Sequence, residues 1–445
     1  MIKLYLTYFK INLIFGRNSQ NLLTSRLTRV SILMGGATLI GGVLGYVFQV
    51  IMGRLLPVAD YGLLATLMAV IGVIGVPLGA VSMMVSRQSS WYLATGKINS
   101  VGTMYWKVNK WIFWISVAAF LLTLPVSPLL KQYFGLASPS GYYIFILATI
   151  VALFSPVNSA VLQAKQDFRW LALNGATIHG FKIVFCSALV LLGFRLNGAL
   201  MGLALAAVAS WLMTYVPIRS AVSHPDRKPA TFLSVRGAVP VLLASLSFAV
   251  MVQLDMLLVK HYFEARLVGL YAAAAVMGKA VMYLPTAIAV SLFPMVADNE
   301  SRSESSSHLL LNAIVLTFAL SGTGALIYYL YPREIITLLY GPDYRVSADV
   351  LRYFGFAMLP MSLIYVAENF LIAKGRVVFA YLMMIAIPFI LYAVHVCHDN
   401  LVDIVYILGG FGWAVAFLGF GIIGYQTIAD RNLSRRSKSM GRSDG

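Results

Sequence analysis

The 445-residue sequence has few charged residues and almost no cysteine. Aspartate, glutamate, lysine and arginine make up 11% of it, whereas soluble domains carry about 25%. Such a chain cannot build a water-facing surface, which excludes a soluble protein. Cys186 and Cys397 both fall in apolar segments, so we interpret them as small buried residues, and a disulfide framework or thiolate metal site has no support.

Motifs for common chemistry are also missing. The sequence has no glycine-rich phosphate loop, no His-Glu-x-x-His and no paired cysteines at metal-ligand spacing, and nothing points to a serine–histidine–acid set. No loop is long enough to form a folded domain outside the membrane. We therefore expect no catalytic residue, no metal and no cofactor, and we expect function to lie among membrane spans and short loops.

Long apolar segments dominate what is present. The chain is 60% hydrophobic with a mean hydropathy of +0.83, and a transmembrane helix needs about 20 mostly apolar residues. This predicts an all-α, polytopic membrane protein of about twelve transmembrane helices. The candidate spans are 30–52, 62–85, 108–130, 141–162, 170–193, 198–218, 237–259, 267–293, 308–331, 348–372, 377–397 and 401–427.

One hairpin pattern occurs twice, about 207 residues apart, at 48–63 and at 254–271. Each copy has an apolar helix that ends in a cation, Arg54 or Lys260. A short break with one acid follows, and Gly-Leu then opens a second apolar helix that contains a proline. Matching halves around a site near the midplane are typical of secondary transporters.

The longest polar stretch in the middle, 219–236, predicts a cytoplasmic linker between two six-helix bundles, 28–218 and 237–428. Because each half has an even number of spans, the halves are expected to be parallel repeats. Residues 1–27 mix cations with apolar side chains and lack the pattern of a cleaved signal peptide, which predicts a retained interfacial segment. Residues 429–445 are expected to form a basic cytoplasmic tail.

The basic residues indicate orientation. Of 33 lysines and arginines, twenty-three fall in the termini and every second loop, seven in the other loops and three within spans. This asymmetry predicts that both termini are cytoplasmic. It also explains the net charge of +17 by topology and contact with anionic lipids, so we expect no nucleic-acid partner.

Two lysines and a histidine fall within spans, and the lysines lie near mid-depth. Lys182 and Lys279 each lie about 12 residues into a span, roughly 18 Å deep. His179 lies three residues before Lys182 on the same helical face, as a hydrogen-bonded polar residue or a proton carrier. Ionisable residues inside spans usually face a cavity or a partner, so these side chains are candidates for substrate binding in an aqueous chamber that attracts anions.

Several ionisable residues have more than one interpretation. Lys279 could instead pair with Asp255 across the second hairpin, since helical side chains tilt toward the N-terminus. Arg54 and Lys260 are either interfacial anchors or cations flanking a lateral portal for a lipid head group. Asp255 and Glu368 are candidates for binding a coupling ion, although Glu368 could simply pair with Lys374 at the interface.

Several motifs resemble bacterial polysaccharide-biosynthesis flippases of the multidrug/oligosaccharidyl-lipid/polysaccharide exporter superfamily. They are Gly45–Gln49 with Arg54–Leu63, Leu254–Val259, Val268–Tyr271, Leu284-Pro285, Leu292–Pro294, Leu338–Tyr344 and Leu371–Arg376. The resemblance covers about residues 25–425. It implies two six-helix bundles around a cavity that opens alternately to each side. The implied cargo is an oligosaccharide on undecaprenyl pyrophosphate, moved across a bacterial inner membrane. The implied partners are membrane lipids, a polysaccharide polymerase and glycosyltransferases.

We therefore predict a flippase for lipid-linked oligosaccharide that works by alternating access and is not an enzyme. A cation-coupled multidrug exporter of the same superfamily is the alternative, and it would need a deep carboxylate. A membrane glycosyltransferase or ligase is disfavoured, because it would need a large outer loop or an acidic catalytic pair. The sequence does not indicate the sugar, the driving force or the oligomeric state.

Overall fold

The computed structural model describes residues 26–135, 139–226, 239–283, 285, 307–373 and 376–440. Every regular element in these ranges is helical, as expected of spans that must satisfy their backbone polar groups internally in lipid. The first half contains α1 (Arg26–Leu55), α2 (Val58–Ala94), α3 (Ile98–Phe134), α4 (Pro139–Ala152), α5 (Ser155–Ala164), α6 (Phe168–Leu189) and α7 (Arg195–Val222). The second contains α8 (Val239–Tyr262), α9 (Ala265–Tyr283), α10 (Ser307–Leu330), α11 (Pro332–Tyr340), α12 (Ser347–Ala373), α13 (Val378–Val396) and α14 (Leu401–Met440).

Eleven described ranges are long and apolar enough to cross a membrane. One of them, 168–222, has 55 residues and contains two predicted spans. Positive φ angles at Gly193 (92°) and Arg195 (48°), next to a π-helical turn at Val190–Phe194, turn the chain there, and α6 packs back on α7. The described residues therefore contain twelve spans, and the predicted fold class is confirmed.

Several predicted bounds differ from the structure. α2 and α3 are both 37 residues long and extend well beyond 62–85 and 108–130, because the loop between them is only a turn at 95–97. α7 continues to Val222, so the first residues assigned to the linker are helical. α14 runs to Met440 through most of the expected tail. Residues 1–25, most of the linker, Lys374 and nearly all of 284–293 lie outside the described residues.

Two hairpins join the halves. Hairpin 1 (α1–α2) packs on hairpin 2 (α8–α9) and on α11, while most other contacts stay within one half. We call this contact the seam. We call the end of the molecule that carries the hairpin turns, at 56–57 and 263–264, the turn end, and the opposite end the far end.

Candidate functional site

Two glycines close the seam at the turn end. Gly62 opens α2 and Gly269 lies in the first turns of α9, at matching places in the two hairpins. A Cβ on Gly62 would overlap the backbone of Gly269, and a Cβ on Gly269 would overlap the carbonyl of Val58. The two main chains are therefore in direct contact, which only residues without a side chain allow.

Arg54 binds across the seam beside this contact. Its Nε donates to the carbonyl of Leu339 at 2.6 Å and its Nη2 to that of Leu338 at 2.5 Å. These carbonyls lie in the last turn of α11, where they lack helical partners and where the helix dipole is negative. The guanidinium is thus held by the other half of the protein, a role that neither the anchor nor the portal interpretation included.

Three tyrosines cluster beside Gly53, the residue before Arg54. The hydroxyls of Tyr61 and Tyr340 lie 3.1 Å apart, and Tyr344 donates to the carbonyl of Gly53 at 3.0 Å. Burial raises the pKa of Tyr340 and of Tyr344, so both hydroxyls stay protonated at neutral pH. This aromatic cluster joins α1 and α2 to the α11 region of the second half.

A similar contact lies on the opposite side of the seam. The Lys260 ammonium lies beside Gly135, 3.5 Å from the position of a Cβ there, at the carboxyl end of α3. Tyr133 of α3 donates to the carbonyl of Leu257 at 2.8 Å. Each hairpin therefore ends its first helix in a cation that lies at a helix C-terminus of the other half, with a tyrosine donating to the backbone nearby.

The seam is less closed toward the far end. On α2, Tyr61, Leu64 and Leu67 are fully buried, whereas most residues beyond Ala69 are partly exposed. A Cβ on Gly75 or Gly79 would meet no atom within 4 Å. The halves are therefore in close contact at the turn end, and α2 is more exposed toward the far end.

Lys279 and Asp255 form a buried ion pair close to the seam. Lys279 Nζ lies 2.9 Å from Asp255 Oδ1 and 3.1 Å from Gln253 Oε1, and the hydroxyl of Tyr271 donates to Asp255 Oδ2 at 3.3 Å. The Gln253 amide nitrogen lies 3.3 Å from the position of a Cβ on Gly72 in the other half. In this conformation Lys279 is therefore not a free cation, and the pairing that the sequence left open is present.

Lys182 and His179 lie together on α6 in the first half. His179 packs in a notch on α1, with its ring 3.2 Å from the position of a Cβ on Gly45. Lys182 is partly exposed, and among the described residues it has no hydrogen bond and no carboxylate partner. The two predicted mid-depth lysines thus differ, since Lys279 is neutralised and Lys182 is not.

Glu368 is buried in α12, only 5% exposed. Its Oε1 has no hydrogen-bond partner, and no described residue forms an ion pair with it. Lys374, its expected partner, lies outside the described residues. Glu368 makes no contact of this kind with Asp255 or Lys279, so the two candidate coupling carboxylates do not form one cluster.

A neutral polar network in the first half was not predicted. Asn158 accepts from the Tyr105 hydroxyl at 2.9 Å and donates to Thr214 at 3.1 Å, and Ser210 donates to Asn174 at 2.7 Å. The sequence does contain a signal for this network, namely polar residues that recur inside apolar spans. Buried polar groups need hydrogen-bond partners, so such residues are expected to contact one another. Across the described residues, no group of three or more His, Cys, Asp and Glu side chains forms a candidate metal site.

Comparison with known proteins gives a family and a fold. The model of a family described as polysaccharide biosynthesis protein matches residues 51–349, and no curated protein matches. An inward-facing multidrug resistance MATE family transporter of the MOP superfamily is similar at a TM-score of 0.68 and 14% identity, over 87% of this chain and 95% of that one. Lipid II flippase MurJ in an inward closed conformation is similar at 0.65 and 13%, over 88% of each chain. An outward-facing MATE family transporter reaches 0.55 at 16%, over 93% and 99%.

Proposed function

The chain belongs to the polysaccharide biosynthesis protein family and has the fold of MOP-superfamily transporters, and on that premise we propose that it flips a lipid-linked oligosaccharide across a membrane. The proposed cargo is an oligosaccharide on undecaprenyl pyrophosphate, moved from the inner to the outer leaflet of a bacterial inner membrane. We further propose that both termini lie in the cytoplasm and that a polymerase and glycosyltransferases are the partners.

The observation that carries this proposal is the seam. It is closed at the turn end by main-chain contact between Gly62 and Gly269, whereas a Cβ on Gly75 or Gly79, further along α2, would meet no atom within 4 Å. A transporter that rocks two bundles needs such an arrangement, with one end closed while the other admits cargo. Under the proposed orientation, the far end faces the cytoplasm, where the cargo is made.

The seam and interior fit an amphipathic cargo. An apolar cleft of about 140 Å³ lies between α2 and α8, lined by residues such as Val70, Ile74 and Val250, and a lipid tail is compatible with such a surface. Lys182 supplies a positive charge without a carboxylate partner among the described residues, which would attract a pyrophosphate. His179 would support Lys182, whereas Lys279 would have to leave Asp255 before it could bind an anion.

A cation-coupled multidrug exporter is the second candidate function, and Glu368 favours it. A buried carboxylate without a partner among the described residues can take up a proton or a cation. In a flippase, Glu368 and Asp255 would couple transport to an ion gradient. In an exporter, the same carboxylates would also attract cationic drugs.

The proposal is tested by cross-linking the two halves at the turn end. Tyr61→Cys and Tyr340→Cys, in a chain with Cys186 and Cys397 replaced, place one thiol on each side of the seam. In cells that depend on this chain for surface polysaccharide, we expect a short, cleavable thiol cross-linker to abolish the polysaccharide and strand its lipid-linked precursor in the cytoplasmic leaflet. Cleavage of the linker should restore both.

Chains with only one of the two cysteines are the controls, and they should keep exporting after the same treatment. Continued export by the fully cross-linked chain would rule out alternating access at this seam. If instead surface polysaccharide is independent of this chain and cross-linking removes resistance to cationic drugs, the second candidate replaces the first.

A further inference from the structure

An open cavity of about 420 Å³ lies in the first half, between α2, α5 and α6, and its lining on α6 ends at Ile178, one turn before Lys182. Its polar lining consists of hydroxyl and amide side chains, namely Ser82, Ser155, Ser159, Gln163 and Asn174. No charged side chain is among the described residues that line it. Its volume falls within the ~300–1,000 Å³ typical of small-molecule sites.

The carboxamide of Asn174 is held in a fixed orientation at the cavity wall. Ser210, which is fully buried, donates to Asn174 Oδ1 at 2.7 Å and lies 3.3 Å from the hydroxyl of Ser155. This bond leaves the amide NH₂ as the free part of the group, and it has no acceptor among the described residues. Asn174 as a whole is 9% exposed, so its NH₂ group belongs to a largely buried residue at the cavity wall.

A break in the fourth span frees one backbone carbonyl in a residue of the cavity lining. α4 ends at Ala152 and α5 begins at Ser155, with Pro156 as its next residue. Proline has no N–H, so the carbonyl of Ala152, which lines the cavity, loses its usual helical donor. Broken backbone at membrane depth is tolerated where it lines a polar cavity.

This combination selects among the possible ligand classes. A cationic drug needs a carboxylate and a phosphate needs a cation, and neither is in the lining. Sugars both donate and accept hydrogen bonds through hydroxyls and present apolar C–H faces, which Leu171 and Ile178 could contact. We propose that this cavity binds uncharged sugar residues of the cargo, an inference that rests on the proposed flippase function.

The cavity lies where such cargo would enter. Ser82 is 24 residues beyond the start of α2 at Val58, about 36 Å from the turn end along the helix. Asn174 is six residues from the start of α6 at Phe168, about 9 Å from the far end. The far end is where α2 is more exposed, and the sugar and the pyrophosphate would bind neighbouring parts of the first half, at the cavity and at Lys182.

Affinity measurements test the proposal. The probe is the lipid-linked oligosaccharide purified from the host membrane, bound to the full-length chain in nanodiscs. We expect Asn174→Leu to raise Kd about tenfold, the effect of about 1.4 kcal/mol. Thr177→Val, one turn away on the same helix with its hydroxyl bonded to the Leu173 carbonyl, should leave Kd unchanged. Binding of undecaprenyl phosphate, which has no sugar, should be the same in both variants and in the parent chain.

Thiol labelling gives a second measurement that does not need Asn174 to be replaced. In a chain without Cys186 and Cys397, Ser159→Cys should react with a neutral maleimide, and the lipid-linked oligosaccharide should slow this reaction at least fivefold. Undecaprenyl phosphate should not slow it. Equal protection by both lipids would overturn the proposal, and so would binding of the oligosaccharide without protection. If the parent chain binds no oligosaccharide at all, the proposed function itself fails.

Discussion

The two copies of the hairpin are alike where they meet and different where they are buried. At the turn end, Gly62 contacts Gly269, and Arg54 and Lys260 lie at equivalent helix ends of the opposite halves. Deeper in the protein the match disappears. The offset between the two glycines, 269 minus 62, places Phe48 opposite Asp255 and Gly72 opposite Lys279. Phe48 and Asp255 are both 1% exposed, so one buried position is apolar in one copy and charged in the other.

This difference shows which contacts depend on both copies. The closing contacts are made between the hairpins, and each copy needs the matching part of the other half. The ion pair is made within hairpin 2 alone and needs nothing equivalent in hairpin 1. Symmetry is therefore expected at the closing end, while the interior of the first half can be neutral and that of the second charged.

The largest expected effect comes from the charged pair. Asp255→Leu leaves the Lys279 ammonium buried without its carboxylate, and breaking such a pair costs about 3–5 kcal/mol. The double variant Asp255→Leu/Lys279→Met should recover most of this loss in the free energy of unfolding, measured by reversible denaturation in mixed micelles. Phe48→Leu, at the matching position, should cost ~1 kcal/mol. A double variant no more stable than Asp255→Leu would mean that the pair is not what distinguishes the two copies.

A smaller effect is expected at the glycine contact. Gly269→Ala or Gly62→Ala forces a methyl group into main chain of the other half, and overpacking of this kind costs ~1–3 kcal/mol. Gly75→Ala is the matched control, since it lies in the same helix as Gly62 with nothing within 4 Å. It should stabilise the chain by ~0.5–1 kcal/mol through the greater helix propensity of alanine. Thermal melting of purified chains should give opposite signs, and equal signs would contradict the seam described here.

The smallest effect separates the two cations. Arg54 makes two hydrogen bonds to the end of α11, whereas Lys260 only lies beside the end of α3. Arg54→Ala should therefore lower the free energy of unfolding by ~1 kcal/mol, a value reduced by its exposure to solvent. Lys260→Ala should cost ~0.5 kcal/mol through the loss of its favourable position at a helix end. A larger loss of stability from Lys260→Ala than from Arg54→Ala would contradict this difference between the two contacts.

The spans and the repeated hairpin could be predicted from sequence because both depend on local patterns. Hydropathy and length locate helices, and the recurrence of Gly-Leu after a cation locates the turns. The bounds failed where no composition change marks them, as in α2, which continues through polar residues to Ala94. The break between α6 and α7 at Gly193 falls where the predicted spans 170–193 and 198–218 separate.

Much less of the candidate site could be predicted, since it depends on distant contacts. Arg54 binds carbonyls more than 280 residues away, and main-chain acceptors leave no mark in a sequence. The Lys279–Asp255 pair was recognised as an alternative because both residues lie in one hairpin. Asn174 was missed because its significance comes from Ser210 and Ser155, which only the folded helices bring together.

The bare contact between Gly62 and Gly269 has a consequence for how fast the protein can change state. Interlocked side chains must change rotamer before two surfaces can separate. Two stretches of main chain without side chains between them can separate without any rotamer change. The barrier to opening at this end would then come from the surrounding tyrosines and from Arg54, whose bonds to Leu338 and Leu339 must break. The glycine contact is the closest approach of the two halves, yet it should separate most easily. The bonds made by Arg54 and the tyrosines would then set the rate at which this end opens.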